Sequence, residues 1–444
     1  MQYFIQTMKI GSIIQIRSKK FITIGIILLC SISIFSPVTT LSQKTEKTII
    51  TSSFDISDED VYLLRVEHYL YINATADVGI FHIRFSFPPD YAYQVPLLLE
   101  LYNDTTSFAI VHYRIENDTF LPNKIINFTL SPMKKDDSVL IHFSCWVFVR
   151  NHDFMDLPSY VKIPKKYQLP EETKGWLAST KQVQLHSLLL RLKARQLHGL
   201  NDNLIRYAGR IAPFIKYHRY VFFIIGLNTG LLLSQDARTT LLINGENVGR
   251  SHLACAFFRI YNIPARVLLV NNDQGFWTQM HYMVEYYCPG YGWVLLETTA
   301  GKTPYATYHQ VINRVCNPQD EEDTKKDYIF PFMKGEERWL WIDTDDVSPY
   351  YVDCDRGSKS QMFTESQVLT EHITASYAFV LSQVVFSLYQ EYLGINMTGE
   401  DQFHYNNATL HQKQAILALQ QSQDITSYLM FLNMAYDEYQ EIDS

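Results

Sequence analysis

Between Gly245 and Thr299 the chain places the residue types from which a nucleophile, a base and an orienting carboxylate are assembled. The stretch opens Gly245-Glu246-Asn247-Val248-Gly249-Arg250-Ser251 and runs apolar through Leu253, Phe257 and Phe258. It continues Arg259-Ile260-Tyr261-Asn262-Ile263-Pro264-Ala265-Arg266-Val267. After a short loop come His281-Tyr282-Met283-Val284-Glu285 and then Gly292-Trp293-Val294-Leu295-Leu296-Glu297-Thr298-Thr299. A helix followed by strands carrying one histidine and one carboxylate is how a catalytic triad is built: the histidine takes a proton from the nucleophile and the carboxylate holds the ring.

These residues resemble the core of the transglutaminase-like superfamily, whose fold is related to papain-type cysteine proteases. The family pattern runs from glycine, any residue and the catalytic cysteine into a helix with an arginine near its end. Gly-Ile-Pro-Ala-Arg, a histidine opening a strand, and a Gly-Trp strand ending in Asp-x-Thr follow. Aligned on Ile263-Pro264-Ala265-Arg266, the opening glycine falls on Gly245, the helix arginine on Arg259, the histidine on His281 and the strand glutamate on Glu285. Gly292-Trp293 matches the last strand. The cysteine position holds Asn247 and the aspartate position holds Glu297. An amide has no lone pair basic enough to attack an acyl group and cannot become a thiolate, whereas glutamate keeps the charge that orients His281. The resemblance implies a triad-like set of Asn247, His281 and Glu297 that forms no thioester, with Trp277 lining the pocket as an aromatic does in related enzymes.

A replacement nucleophile would have to stand at the start of the 248–261 helix, where the helix N-terminus lowers a thiol's pKa. Cys255 lies about 12 Å along the axis from Asn247 and about 80° around it, so it reads as a core cysteine. Ser251 is one turn on, about 6 Å away on the same face; a serine nucleophile and a capping or packing role are both open. Cys288 follows the His281 strand and reaches the wrong end.

The elements around this stretch define an α+β chain. Residues 59–156 alternate apolar and polar positions in short strands, as in Gly79–Phe87, separated by turn residues, and predict an antiparallel β-sandwich. Its histidines, His68, His82, His142 and His152, read as strand surface or edge residues. Residues 160–360 are expected to form the transglutaminase-like α+β core, with helices before Asn247, among them Leu204–Tyr217 and Val221–Ser234. Residues 361–444 are expected to form a C-terminal helical region. The acidic run Asp320-Glu321-Glu322-Asp323 reads as a solvated loop, with calcium as the alternative.

Lys9, Arg17, Lys19 and Lys20 precede an apolar run from Phe21 to Phe35, so residues 1–41 read as a signal peptide or an N-terminal signal anchor, followed by a polar linker over 42–58. This predicts an extracellular or cell-surface protein, in contact with the membrane if the segment is uncleaved. Six Asn-x-Ser/Thr triplets, at Asn73, Asn103, Asn117, Asn127, Asn396 and Asn407, fit a glycosylated surface domain. The six cysteines show no C-x-x-C spacing, which argues against a structural zinc, and Cys316–Cys354 is the expected pair if one disulfide forms. A net charge of −8 gives no basis for a nucleic-acid partner. No metal or cofactor is expected. The function that follows is binding of a peptide, amide or polymer ligand in a former active-site cleft; the alternative is a hydrolase or acyltransferase of cysteine-protease fold using an unrecognised nucleophile.

Overall fold

A computed structural model describes residues 58–442 except 75, 152–153, 155, 201, 219–234, 244, 246, 273–279, 307–309, 323–339, 344–351 and 356–360. The leader, the linker up to residue 57, the 221–234 helix, Trp277 and Asp323 lie outside the described residues. The described residues form one compact unit of helices and antiparallel sheets.

The strands β1 (Asp58–Ala74), β2 (Phe81–Phe87), β3 (Gln94–Leu101), β4 (Ile110–Asn117), β5 (Lys124–Leu130) and β6 (Ser138–Arg150) build the sandwich. One sheet pairs β1 with β6 and β6 with β3; the other pairs β2 with β5 and β5 with β4. Their facing apolar positions meet as the Phe128 and Phe143 rings, with centroids 5.6 Å apart. Three later strands complete the sheets. Val352–Asp355 and Gln361–Glu371 share the second edge of β1, and Leu340–Asp343 pairs with β2. The sandwich therefore draws on residues 340–343, 352–355 and 361–371, beyond the expected 59–156 interval, and the C-terminal helices begin at His372 rather than at 361. Residues 361–371 hold polar and charged side chains at many positions, as suits an edge strand, and their partner lies some three hundred residues earlier, so no local pattern marks the pairing.

Among the described residues, four helices of six residues or more precede a third sheet: α1 (Leu188–His198), α2 (Leu204–Tyr217), α3 (Ala237–Leu242) and α4 (Asn247–Ile260). Gly199 ends α1 with φ +65°, a conformation glycine adopts without a Cβ clash. Asn203 and Asp236 cap α2 and α3 through their side-chain oxygens. The sheet runs in the order β10 (Gln310–Val315), β7 (Ala265–Asn272), β8 (Met280–Cys288), β9 (Gly292–Leu296). Every residue of α4 from Val248 to Arg259 is buried, since sheet and helices enclose it on all sides.

The sandwich closes the outer edge of β10 with two side-chain amides. Gln94 donates to the Ile312 carbonyl and accepts from its N–H, both at 2.8 Å. Asn123 does the same to Val315, again at 2.8 Å. Two amides thus stand in for a missing strand and satisfy backbone groups that would otherwise be buried unpaired. The helices α5 (His372–Tyr392), α6 (Glu400–Leu417) and α7 (Ile425–Gln440) cover the first sheet, where Phe148 stacks on Tyr428 and Gln412 donates to the Leu97 carbonyl. Among the described residues no helix is long and apolar enough to cross a membrane.

Three expectations are corrected. Asp320 and Glu321 are not solvated: they are buried in a short helix, Pro318–Glu322, and neutralise Arg314 and Arg259. His68 and His142 are buried rather than at the strand surface. Their strands are covered on both faces, so alternation does not mean exposure; His68 stacks on Phe143, and His142 lies between the Glu67 and Asp104 carboxylates, 2.7 Å from each. Cys316 is a buried thiol, not half of a disulfide to Cys354. The asparagines of four triplets, Asn73, Asn103, Asn117 and Asn396, are exposed; Asn127 buries its side-chain oxygen in β5, and Asn407 donates to Glu438.

Candidate functional site

Asn247 is the first residue of α4, and His281 stands near the start of β8. The register of β8 and β9 sets Val284 opposite Leu296. Continued past the end of β9, it places Glu297 diagonally across from His281, within reach of a long side chain. The helix start, the first turn of one strand and the far end of the next thus converge on one point.

The contacts there are short. The Asn247 Nδ2 lies 3.1 Å from His281 Nδ1. On the other side of the ring, His281 Nε2 lies 2.6 Å from Glu297 Oε2. The carboxylate accepts, so Nε2 carries the proton and Nδ1 presents a lone pair to the Asn247 amide. Thr299 donates its hydroxyl to Asn247 Oδ1 at 2.9 Å and its backbone N–H to Glu297 Oε1 at 2.6 Å. Glu297 is buried, His281 is 9% exposed, and Thr299 is exposed, so the cluster opens to solvent on the Asn247–Thr299 side.

Among the described residues, neither Ser251 nor Cys255 nor Cys288 brings a nucleophile to this point. Ser251 has no solvent exposure, and its hydroxyl donates to the Asn247 carbonyl at 2.9 Å, the back-bond of a helical serine. Cys255 is wholly buried, and burial pushes its thiol far above the usual range. Cys288 sits at the far end of β8, opposite Gly292, and burial pushes its thiol up to about 11. A thiol held that high is a poor source of thiolate.

The remaining motif residues support the site from behind. Arg259 donates to the Ala265 carbonyl and forms a two-point ion pair with Glu321, at 2.5 and 2.7 Å, tying the end of α4 to β7. Arg266 pairs with Glu285 at 2.9 Å across β7 and β8, and its guanidinium lies 3.7 Å from the centre of the Trp293 ring and 4.8 Å from that of Trp176. Tyr91, from the sandwich, bonds to both Arg266 and Glu285. Burial raises this phenol well above its ordinary range, with the Arg266 charge pulling the other way, so the hydroxyl stays protonated and donates.

Sequence reasoning gave no role to Thr299, Tyr91 or Trp176. The position of Thr299 directly after Glu297-Thr298 was a usable signal; Tyr91 and Trp176 reach the core only through tertiary packing.

Residues 227–298 match the model of the transglutaminase-like superfamily. No curated protein matches the sequence. Among solved structures, the chain is similar to a putative cysteine protease from Cytophaga hutchinsonii at 12% identity and a TM-score of 0.46, over 71% of this chain and 92% of that one. It is also similar to a putative protease from Parabacteroides distasonis at 13% identity and a TM-score of 0.23, over 57% of this chain and 47% of that one.

Proposed function

Since residues 227–298 of this chain form a transglutaminase-like domain, we propose that its cleft binds an acyl, amide or peptide group without cleaving it. One observation carries this reading: the group facing His281 Nδ1 is the Asn247 carboxamide, 3.1 Å away, where a thiol would be activated. A carboxamide nitrogen cannot attack a carbonyl carbon, and its N–H occupies the lone pair with which the imidazole would accept a proton. The His281–Glu297 pair is retained, so the site keeps a polar wall of fixed geometry: an amide, a hydroxyl and a helix N-terminus facing solvent. Such a wall hydrogen-bonds a neutral amide or peptide. In this reading the basic, apolar N-terminal segment carries the domain to the cell exterior, and the ligand is a peptide, protein or cell-surface polymer.

The test is to incubate the parent chain, Asn247→Cys and Ser251→Ala with an amine donor and a glutamine peptide. Amine incorporation or peptide hydrolysis in Asn247→Cys alone is expected. Turnover by the parent that disappears in Ser251→Ala would overturn the reading in favour of a serine-based hydrolase or acyltransferase.

A further inference from the structure

Four hydrogen bonds at the site form a closed circuit that begins and ends on one residue. The Thr299 hydroxyl donates to Asn247 Oδ1, Asn247 Nδ2 donates to His281 Nδ1, His281 Nε2 donates to Glu297 Oε2, and the Thr299 backbone N–H donates to Glu297 Oε1. Thr299 therefore bonds to both partners of the imidazole.

We propose that Thr299 is a positioning residue that keeps the Asn247 carboxamide over His281 Nδ1, so that the base nitrogen is capped in the resting protein. An asparagine side chain rotates about two bonds, and one contact to the ring edge does not hold it. The hydroxyl supplies the second contact at the opposite end of the amide. The direction of this contact also decides which end of the amide meets the ring. With Oδ1 accepting from Thr299, Nδ2 is left to face Nδ1, which suits a neutral ring whose other nitrogen donates to Glu297. The Thr299 N–H meanwhile holds the second carboxylate oxygen, so Glu297 cannot swing away from Nε2. This inference rests on the reading of Asn247, His281 and Glu297 as the site. It adds that the site is held shut by a residue outside that trio.

Acylation of His281 by diethyl pyrocarbonate reads the cap directly, because the reagent attacks an unprotonated, accessible ring nitrogen. Peptide mapping of the full chain follows the rate at His281 alone. Asn247→Ala removes the cap and sets the upper limit. Thr299→Val, which keeps the shape and deletes the hydroxyl, is expected to raise the rate about fivefold over the parent, the equivalent of one neutral hydrogen bond. Thr299→Ser restores the hydroxyl and is expected to return the parent rate. Nitrogen NMR of the labelled ring is expected to show the Nε2–H form in the parent. A parent rate equal to that of Asn247→Ala overturns the cap itself. A rise in Asn247→Ala with Thr299→Val unchanged overturns the part given to Thr299. Failure of the functional reading would show separately, as turnover by the parent in the amine and peptide assay.

Discussion

Arg259 and Glu321 face each other with neither side chain exposed, their oxygens and nitrogens 2.5 to 2.7 Å apart. Glu321 also accepts from the Thr180 hydroxyl at 2.9 Å, and Arg259 donates to the Ala265 and Ala178 carbonyls. Removing one member leaves a charge that water cannot reach. Glu321→Gln is expected to cost about 3–5 kcal/mol in urea unfolding, whereas the double change Arg259→Met with Glu321→Leu is expected to recover most of that loss. Equal losses in the single and double variants would show that the pair itself, rather than the stranded charge, supplies the stability.

The amide contacts between Gln94 and Ile312 give a second expectation. Gln94→Ala leaves the Ile312 N–H and carbonyl buried at the edge of β10 without their partner. Each such group costs about 1–3 kcal/mol. Hydrogen exchange should then quicken at Ile312 while the centre of β8 stays protected. Unchanged protection at Ile312 would mean that the sandwich does not close that edge.

His68 makes stability depend on pH. Burial lowers its pKa from 6.5 to about 4. Between those values the unfolded chain binds a proton that the folded chain refuses, so its contribution is complete above about pH 6.5 and is lost as pH falls toward about 4. The total is about 3 kcal/mol. His68→Leu is expected to flatten this part of the stability curve, measured as urea midpoints from pH 7 to pH 4. A slope identical to that of the parent would place the proton uptake elsewhere.

The site was largely legible in the sequence because its determinants are local. Asn247 opens a helix, Arg259 lies near its end, and His281 and Glu297 lie at neighbouring ends of two adjacent strands, so the family resemblance aligned on Ile263-Pro264-Ala265-Arg266 pointed to residues that meet. What stayed hidden depends on distance along the chain. Asp320 and Glu321 looked like a solvated run because Arg259, 62 residues earlier, cannot be matched to Glu321 by any local pattern. Strands at 340–343, 352–355 and 361–371 complete a sandwich whose other strands end at Arg150. His68 and His142 follow strand alternation, but both faces of their strands are covered, so the period of two reports sidedness and not exposure. Tyr91 and Trp176 approach Arg266 from separate parts of the chain, which no spacing rule encodes.

In the proposed reading, position 247 is where a thiol would be activated by His281. The pH profile of iodoacetamide alkylation at position 247 in Asn247→Cys tests it most directly, with the modified residue identified by peptide mapping. A thiol at the N-terminus of α4 beside His281 is expected to ionise well below the ordinary thiol range and to alkylate rapidly at neutral pH, and His281→Ala should return it toward ordinary behaviour. Alkylation at position 247 that rises only near pH 8.5, as for an unperturbed thiol, and is indifferent to His281→Ala would contradict the account.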